Sequence, residues 1–327
     1  MQAILAVTVP FFALVLMGYV AARSRLLPES SIPGLNAFVL YFALPCLLFR
    51  FGANTPVLEM LNPAVLLVYL SCALIMVSFT VAVTWNERVP LKDAAFGALV
   101  AAFPNTGFMG VPLLVALLGD AAAGPVICSV LADLFFTSSL CIALAQAAQP
   151  GADGARGGRG TRAAVARALR GALSNPLPWA IALGAVFSFN AWSLPGPASS
   201  IVNLLADAAS PVALFTIGAV LWRAGQHAAT RTPVADYLPV ALIKLLLHPL
   251  LVLLVASAAR EMGAPLSSFQ ITVLTLAAAL PSASNVSLLA ERYGADNGRI
   301  ARIIMSSTVL AFVSFSALAW LFGVRPG

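Results

Sequence analysis

Ten stretches of this chain are too apolar for water and close to the length a bilayer demands. They cover residues 4–22, 36–53, 64–85, 93–117, 124–148, 176–191, 198–222, 237–258, 268–290 and 300–322. Crossing a hydrocarbon core of about 30 Å takes about 20 apolar residues as a helix. Only helices and closed barrels satisfy their backbone groups without water. Composition agrees: 61% of residues are hydrophobic and 9% charged, against about 25% charged in soluble domains. The fold class expected is an all-α polytopic membrane protein with ten transmembrane helices. Cytosolic enzymes and secreted disulfide scaffolds are disfavoured. The cysteines (Cys46, Cys72, Cys128 and Cys141) lie inside apolar runs without metal-site spacing and read as small buried hydrophobes.

The charges that do occur are placed unevenly. Links after spans one, three, five, seven and nine hold 14 of the 18 Lys and Arg residues. The positive-inside rule then puts both termini outside the cytoplasm. The net charge of +6 is therefore a topology signal, and no nucleic-acid partner is expected. The first run reads as a span and not a cleaved signal, since Arg23 and Arg25 follow it and no basic residue precedes it. The longest link, 149–175, is Gly-rich and then basic. Its segment Thr161–Leu173 suits a helix lying on anionic headgroups, or the whole link is a tether.

That link divides the spans five and five. Pro10 and Pro45 recur as Pro176 and Pro211, 35 residues apart in both halves. The stretch Ala101-Ala102-Phe103-Pro104-Asn105 likewise compares with Ala278-Ala279-Leu280-Pro281-Ser282. A five-span unit used twice must insert in opposite orientations, an architecture of secondary transporters whose site lies where the repeats meet. The expected units are residues 1–148, a basic cytoplasmic linker over 149–175, and residues 176–327.

Spans four and nine carry breaks. Span four contains Pro104-Asn105-Thr106-Gly107 and Gly110-Val111-Pro112; span nine contains Pro281-Ser282-Ala283-Ser284-Asn285. Proline removes a backbone donor and clashes with the preceding turn, so neither span continues as a regular helix. Asn105, Thr106, Ser282, Ser284 and Asn285 can satisfy the freed groups and also bind a solute. If the breaks cross, two half-helix starts present N–H groups and positive dipole to one point, an anion-friendly arrangement. The alternative is a pair of kinked packing helices with Ser and Asn as interhelical bonds.

Ionisable residues inside the spans are functional candidates by default. Lys244 and His248 share a face of span eight. Asp207 and Asp133 are the candidate partners of Lys244. Burial favours the neutral form of each group, which brings a buried pair within range of proton coupling. A structural ion pair and a packing histidine are the plainer readings. No metal site, cofactor site or enzymatic motif of the Walker, GxSxG or HExxH type is present.

These segments resemble the auxin efflux carrier family of membrane transporters, bacterial members included. The resemblance runs nearly end to end, through Phe42-Ala43-Leu44-Pro45, Pro104-Asn105-Thr106-Gly107-Phe108-Met109-Gly110-Val111-Pro112, Lys244 with Pro249, and Leu280-Pro281 followed by Ala290-Glu291-Arg292-Tyr293. It implies a fold similar to sodium/bile-acid symporters, with inverted five-helix repeats and broken, crossing helices four and nine. Helices one, two, six and seven would form a scaffold, which mediates dimerisation in related carriers. Helices three to five and eight to ten would form an elevator-type transport bundle. The implied substrates are small organic anions such as malate, malonate or auxin-like acids, moved across a bacterial inner membrane. Asn105 would contact substrate, with Pro104 and Pro281 at the crossing. The short central link and Ser282-Ala283-Ser284-Asn285 depart from the plant pattern and count against indole acetate. An anion channel, or a carrier of other solutes with this fold, is the alternative.

Overall fold

The computed structural model describes residues 1–147, 173, 175–226 and 232–324. The central link, with its basic stretch, lies outside the described residues apart from Leu173 and Asn175. Twelve helices carry the fold: α1 (Gln2–Arg23), α2 (Glu29–Asn54), α3 (Pro63–Thr84), α4 (Leu91–Ala102), α5 (Thr106–Leu118), α6 (Asp120–Ala147), α7 (Pro176–Phe189), α8 (Gly196–Gln226), α9 (Val234–Glu261), α10 (Ser268–Ala278), α11 (Val286–Arg292) and α12 (Asn297–Leu321). Among the described residues there is no β-sheet, only an isolated antiparallel bridge between Pro104 and Ser282.

Among the described residues seven helices are long and apolar enough to cross a membrane: α1, α2, α6, α8, α9, α12, and α3 together with the turn Val57–Met60. The other three apolar runs of the sequence contain shorter helices. Span six is α7 alone, span four divides into α4 and α5, and span nine into α10 and α11. Many of the most exposed side chains are themselves large and apolar, among them Leu67, Leu204, Val309 and Val313. Helices hydrophobic all round are what lipid selects.

The most extensive helix packing joins α1 to α8 and α2 to α7, and glycines permit both contacts. A Cβ on Gly18 would strike the carbonyl of Phe215, and one on Gly184 would lie 2.6 Å from that of Phe49. A Cβ on Gly218 would strike the carbonyl of Val15, and one on Gly52 would lie 3.1 Å from that of Ile181. Each residue of the α1–α2 set has its counterpart a constant 166 positions on (18 to 184, 52 to 218, 49 to 215, 15 to 181). Pro10 and Pro176, and Pro45 and Pro211, share that offset. Close backbone approach through small residues replaces the hydrophobic drive that is missing between helices in lipid.

Elsewhere α4 packs on α3 and α6, α9 on α3 and α10, and α12 on α9. One buried arginine ties three of these helices at one end. Arg299 donates from Nε to the carbonyl of Asp236 (2.8 Å) and from a terminal nitrogen to that of Asp93 (2.9 Å). Its backbone N–H donates to Asp296, whose own N–H donates to Asp93. The first turns of α4, α9 and α12 are thereby joined.

Candidate functional site

The two interrupted spans meet at their breaks. Phe103, before Pro104, is extended (φ −102°, ψ 98°), as proline requires of its predecessor. The extended segments pair as a minimal ladder. Asn105 N–H donates to the carbonyl of Pro281 (2.8 Å), and Ala283 N–H to that of Phe103 (3.0 Å). The Ser282 hydroxyl donates to the carbonyl of Val100 near the end of α4 (2.7 Å), and the Ser282 N–H to Ser307 on α12 (3.2 Å). Broken backbone buried this deep is tolerated because protein groups replace the lost helical bonds.

Beyond the crossing, α5 begins with a π turn over Thr106–Gly110, a local widening common at functional sites. The N–H groups of Asn105, Thr106, Met109 and Gly110 go to nearby carbonyls. Those of Gly107 and Phe108 meet no backbone carbonyl among the described residues. Nothing lies within 4 Å of where a Gly107 Cβ would stand, so this turn borders open space. Asn105 is 3% exposed, and its Oδ1 has no hydrogen-bond partner.

The expectation of two anion-friendly helix starts needs correction. Helix α11 has seven residues, beginning five positions after Pro281. Its first N–H groups are taken by the carbonyls of Ala283, Ser284 and Asn285. Small polar residues after the proline coil the chain into a turn first. The dipole argument therefore holds for α5 alone.

A cavity of about 270 Å³ opens beside the crossing, its walls including Phe103, Phe108, Asn285, Ser139, Arg292 and Tyr293. Asn36 and Tyr41 of α2 and Asn175 before α7 also face it, so it lies between the two groups of helices. Three of the buried polar atoms without a partner lie here: Asn285 Oδ1 and Ser139 Oγ on its wall, and Asn105 Oδ1 at the crossing. Unpaired buried polar groups are rare and costly, and they mark a place for a ligand or water. Ser284 lines a smaller space next to Asn285 and Phe108.

Lys244 and His248 lie behind this crossing. Lys244, fully buried, donates to the carbonyl of Ala278 (2.5 Å) and contacts His248 Nδ1 at 3.0 Å. It thus caps the C-terminal end of α10, where helix dipole and free carbonyls favour a cation. Asp133 accepts from Tyr69 Oη–H and Thr137 Oγ1–H, each at 2.9 Å. The Tyr69 ring lies 6.3 Å from that of His248. Asp133 and Lys244 form no ion pair among the described residues. Asp207 is not brought to Lys244: it is exposed and pairs with Arg50 at 2.7 Å.

Sequence reasoning gave no site role to Asn36, Ser139 or Tyr69, and counted Arg299 with the topology charges; their roles depend on contacts between distant segments. It placed Arg292 among the topology charges. A usable signal was its spacing from Asn285, seven residues on and therefore on the same helix face.

Among the described residues the protein is helical, with seven helices long and apolar enough to cross a membrane and two apolar segments broken and paired at one buried point, which makes it a multi-pass membrane protein. The chain belongs to the membrane transport protein family, which includes the auxin efflux carriers; the family pattern matches residues 3–319. It is 29% identical over 330 residues to a protein of Rhizobium meliloti (strain 1021) named "Putative malonate transporter", covering 100% of this chain and 98% of that one. It is 29% identical over 305 residues to an "Uncharacterized transporter" of Methanothermobacter thermautotrophicus, covering 92% of each. A third relative, the "Uncharacterized transporter YfdV" of Escherichia coli (strain K12), is 26% identical over 322 residues, covering 97% of this chain and 96% of its own.

Proposed function

We propose that this protein is a secondary carrier of small carboxylates working by alternating access. The observation that carries the reading is the crossing of the two broken spans, with the Gly107 and Phe108 N–H groups and the Ser139 hydroxyl left unpaired beside a cavity. The N-terminal turn of α5 and the amide of Asn105 would hold a carboxylate. Thr106, Ser282 and Ser284 complete the polar surroundings, and Pro104 and Pro281 keep the segments from continuing as helix. Malonate is the first candidate substrate, on the name of the Rhizobium relative.

In this reading ten spans form two inverted repeats, residues 1–148 and 176–327. The constant 166-residue offset at the α1–α8 and α2–α7 contacts supports it, because an exchanged pair of backbone approaches is what a two-fold relation produces. Those four helices would be the scaffold and a dimer surface, and the remainder an elevator-type bundle, tied at one end by Arg299. Lys244, with His248 and Asp133, would carry charge coupling. Both termini would lie outside the cytoplasm, so the cavity beside Arg292 opens inward.

The test is uptake into proteoliposomes across a panel of labelled organic acids. Saturable transport of one or more acids is the expected result. Absence of transport of every acid by folded protein overturns the reading, and non-saturating current would indicate a channel.

A further inference from the structure

We propose that Arg292 sets a preference for dicarboxylates over monocarboxylates by binding the second carboxylate of the substrate. The inference rests on the carrier reading above and adds to it the residue that counts substrate charge.

Arg292 and Asn285 line the same cavity. They stand seven residues apart along the last turns before and within α11, about 10 Å along a helix axis. The Arg292 side chain is exposed, so its guanidinium is open to a solute entering the cavity it lines. Leu288 and Leu289 occupy the wall between these polar ends, and Leu134 and Ile142 also line the cavity. The cationic end, the apolar wall and the open N-terminal turn of α5 at Phe108 match two carboxylates joined by a short hydrocarbon.

The charge pattern points the same way. Arg292 is the charged residue among those lining the cavity, and no carboxylate faces it there. Among the described residues it makes no hydrogen bond or ion pair. Its chain neighbour Glu291 does not share its helix face. Ser139, which lines the same cavity, has a buried hydroxyl without a partner. A planar guanidinium binds a carboxylate through two parallel N–H bonds, a fit a lysine ammonium does not reproduce.

The experiment measures uptake of labelled malonate and of labelled propionate into proteoliposomes by the unaltered protein, Arg292→Gln and Arg292→Lys. Binding of each acid in detergent is read in parallel as a ligand-induced rise in Tm. Arg292→Gln is expected to weaken malonate transport and binding at least tenfold while leaving propionate within about twofold, as loss of one charge-assisted contact predicts. Arg292→Lys should restore part of the difference. An unchanged malonate-to-propionate ratio, or equal loss for both acids, overturns the assignment of Arg292 while the carrier reading stands. If the unaltered protein neither binds nor moves either acid, the carrier reading falls, and this inference with it.

Discussion

At the scale of single residues, the polar groups at the crossing divide into those satisfied by protein and those left open. Ser282 is bonded on both its hydroxyl and its N–H, so it holds the two segments together. Asn105 Oδ1 is buried without a partner, an acceptor left open where the carrier reading puts the substrate. Asn105→Ala is expected to lower transport at least tenfold, about 1.4 kcal/mol, with Tm in detergent little altered. Gly107→Ala is a sharper probe, because its Cβ would meet no protein atom within 4 Å. Folding should be unchanged or slightly improved, since alanine favours helix, and any fall in transport then reports occupancy of that space. Lys244 differs again. Its bond to the Ala278 carbonyl caps α10, so Lys244→Met should cost about 1–3 kcal/mol of stability, read as a lowered Tm, beside any effect on coupling.

At the scale of elements, proline explains where the helices stop and glycine explains how closely they approach. The breaks at Pro104 and Pro281 were legible in the sequence, because a missing N–H acts locally whatever surrounds it. That they pair through Asn105, Pro281, Ala283 and Phe103 was not, since a strand-like bridge between residues so far apart in sequence leaves no periodic trace. The glycine contacts are testable by overpacking. Gly218→Ala drives a Cβ into the carbonyl of Val15 and should destabilise by about 1–3 kcal/mol, whereas Gly196→Ala, in open space, should not. Thermal unfolding of the two variants in detergent distinguishes them. Gly184→Ala, the counterpart of Gly18, should behave as Gly218→Ala does.

For the whole molecule, the cavity lies between α1–α2–α7–α8 and the remaining helices, bounded by Asn36 and Asn175 on one side and Ser139, Asn285 and Arg292 on the other. A second polar cavity, lined by Arg50, Asn54, Glu59 and Asp120, shares no residue with the first. Alternating access would open the crossing to each in turn. Ser139→Cys should therefore react with a membrane-impermeant thiol reagent from the side of Arg292, and malonate should protect it. Equal labelling from both faces of the membrane would contradict a gated site.

The sequence by itself determined the solvent of this protein, the positions of its apolar runs and the residues at which two of them break. Those properties follow from side-chain hydrophobicity and from proline's missing donor, and each acts within one segment. The tertiary structure decided the partners. Lys244 meets the Ala278 carbonyl, Asp207 meets Arg50, and Asp133 meets Tyr69 and Thr137. In a low-dielectric interior every buried polar group must find a complement, and which one it finds depends on how distant helices are laid together. The same packing leaves the Asn105 and Asn285 amide oxygens and the Ser139 hydroxyl without one, and the site proposed for a solute lies among them.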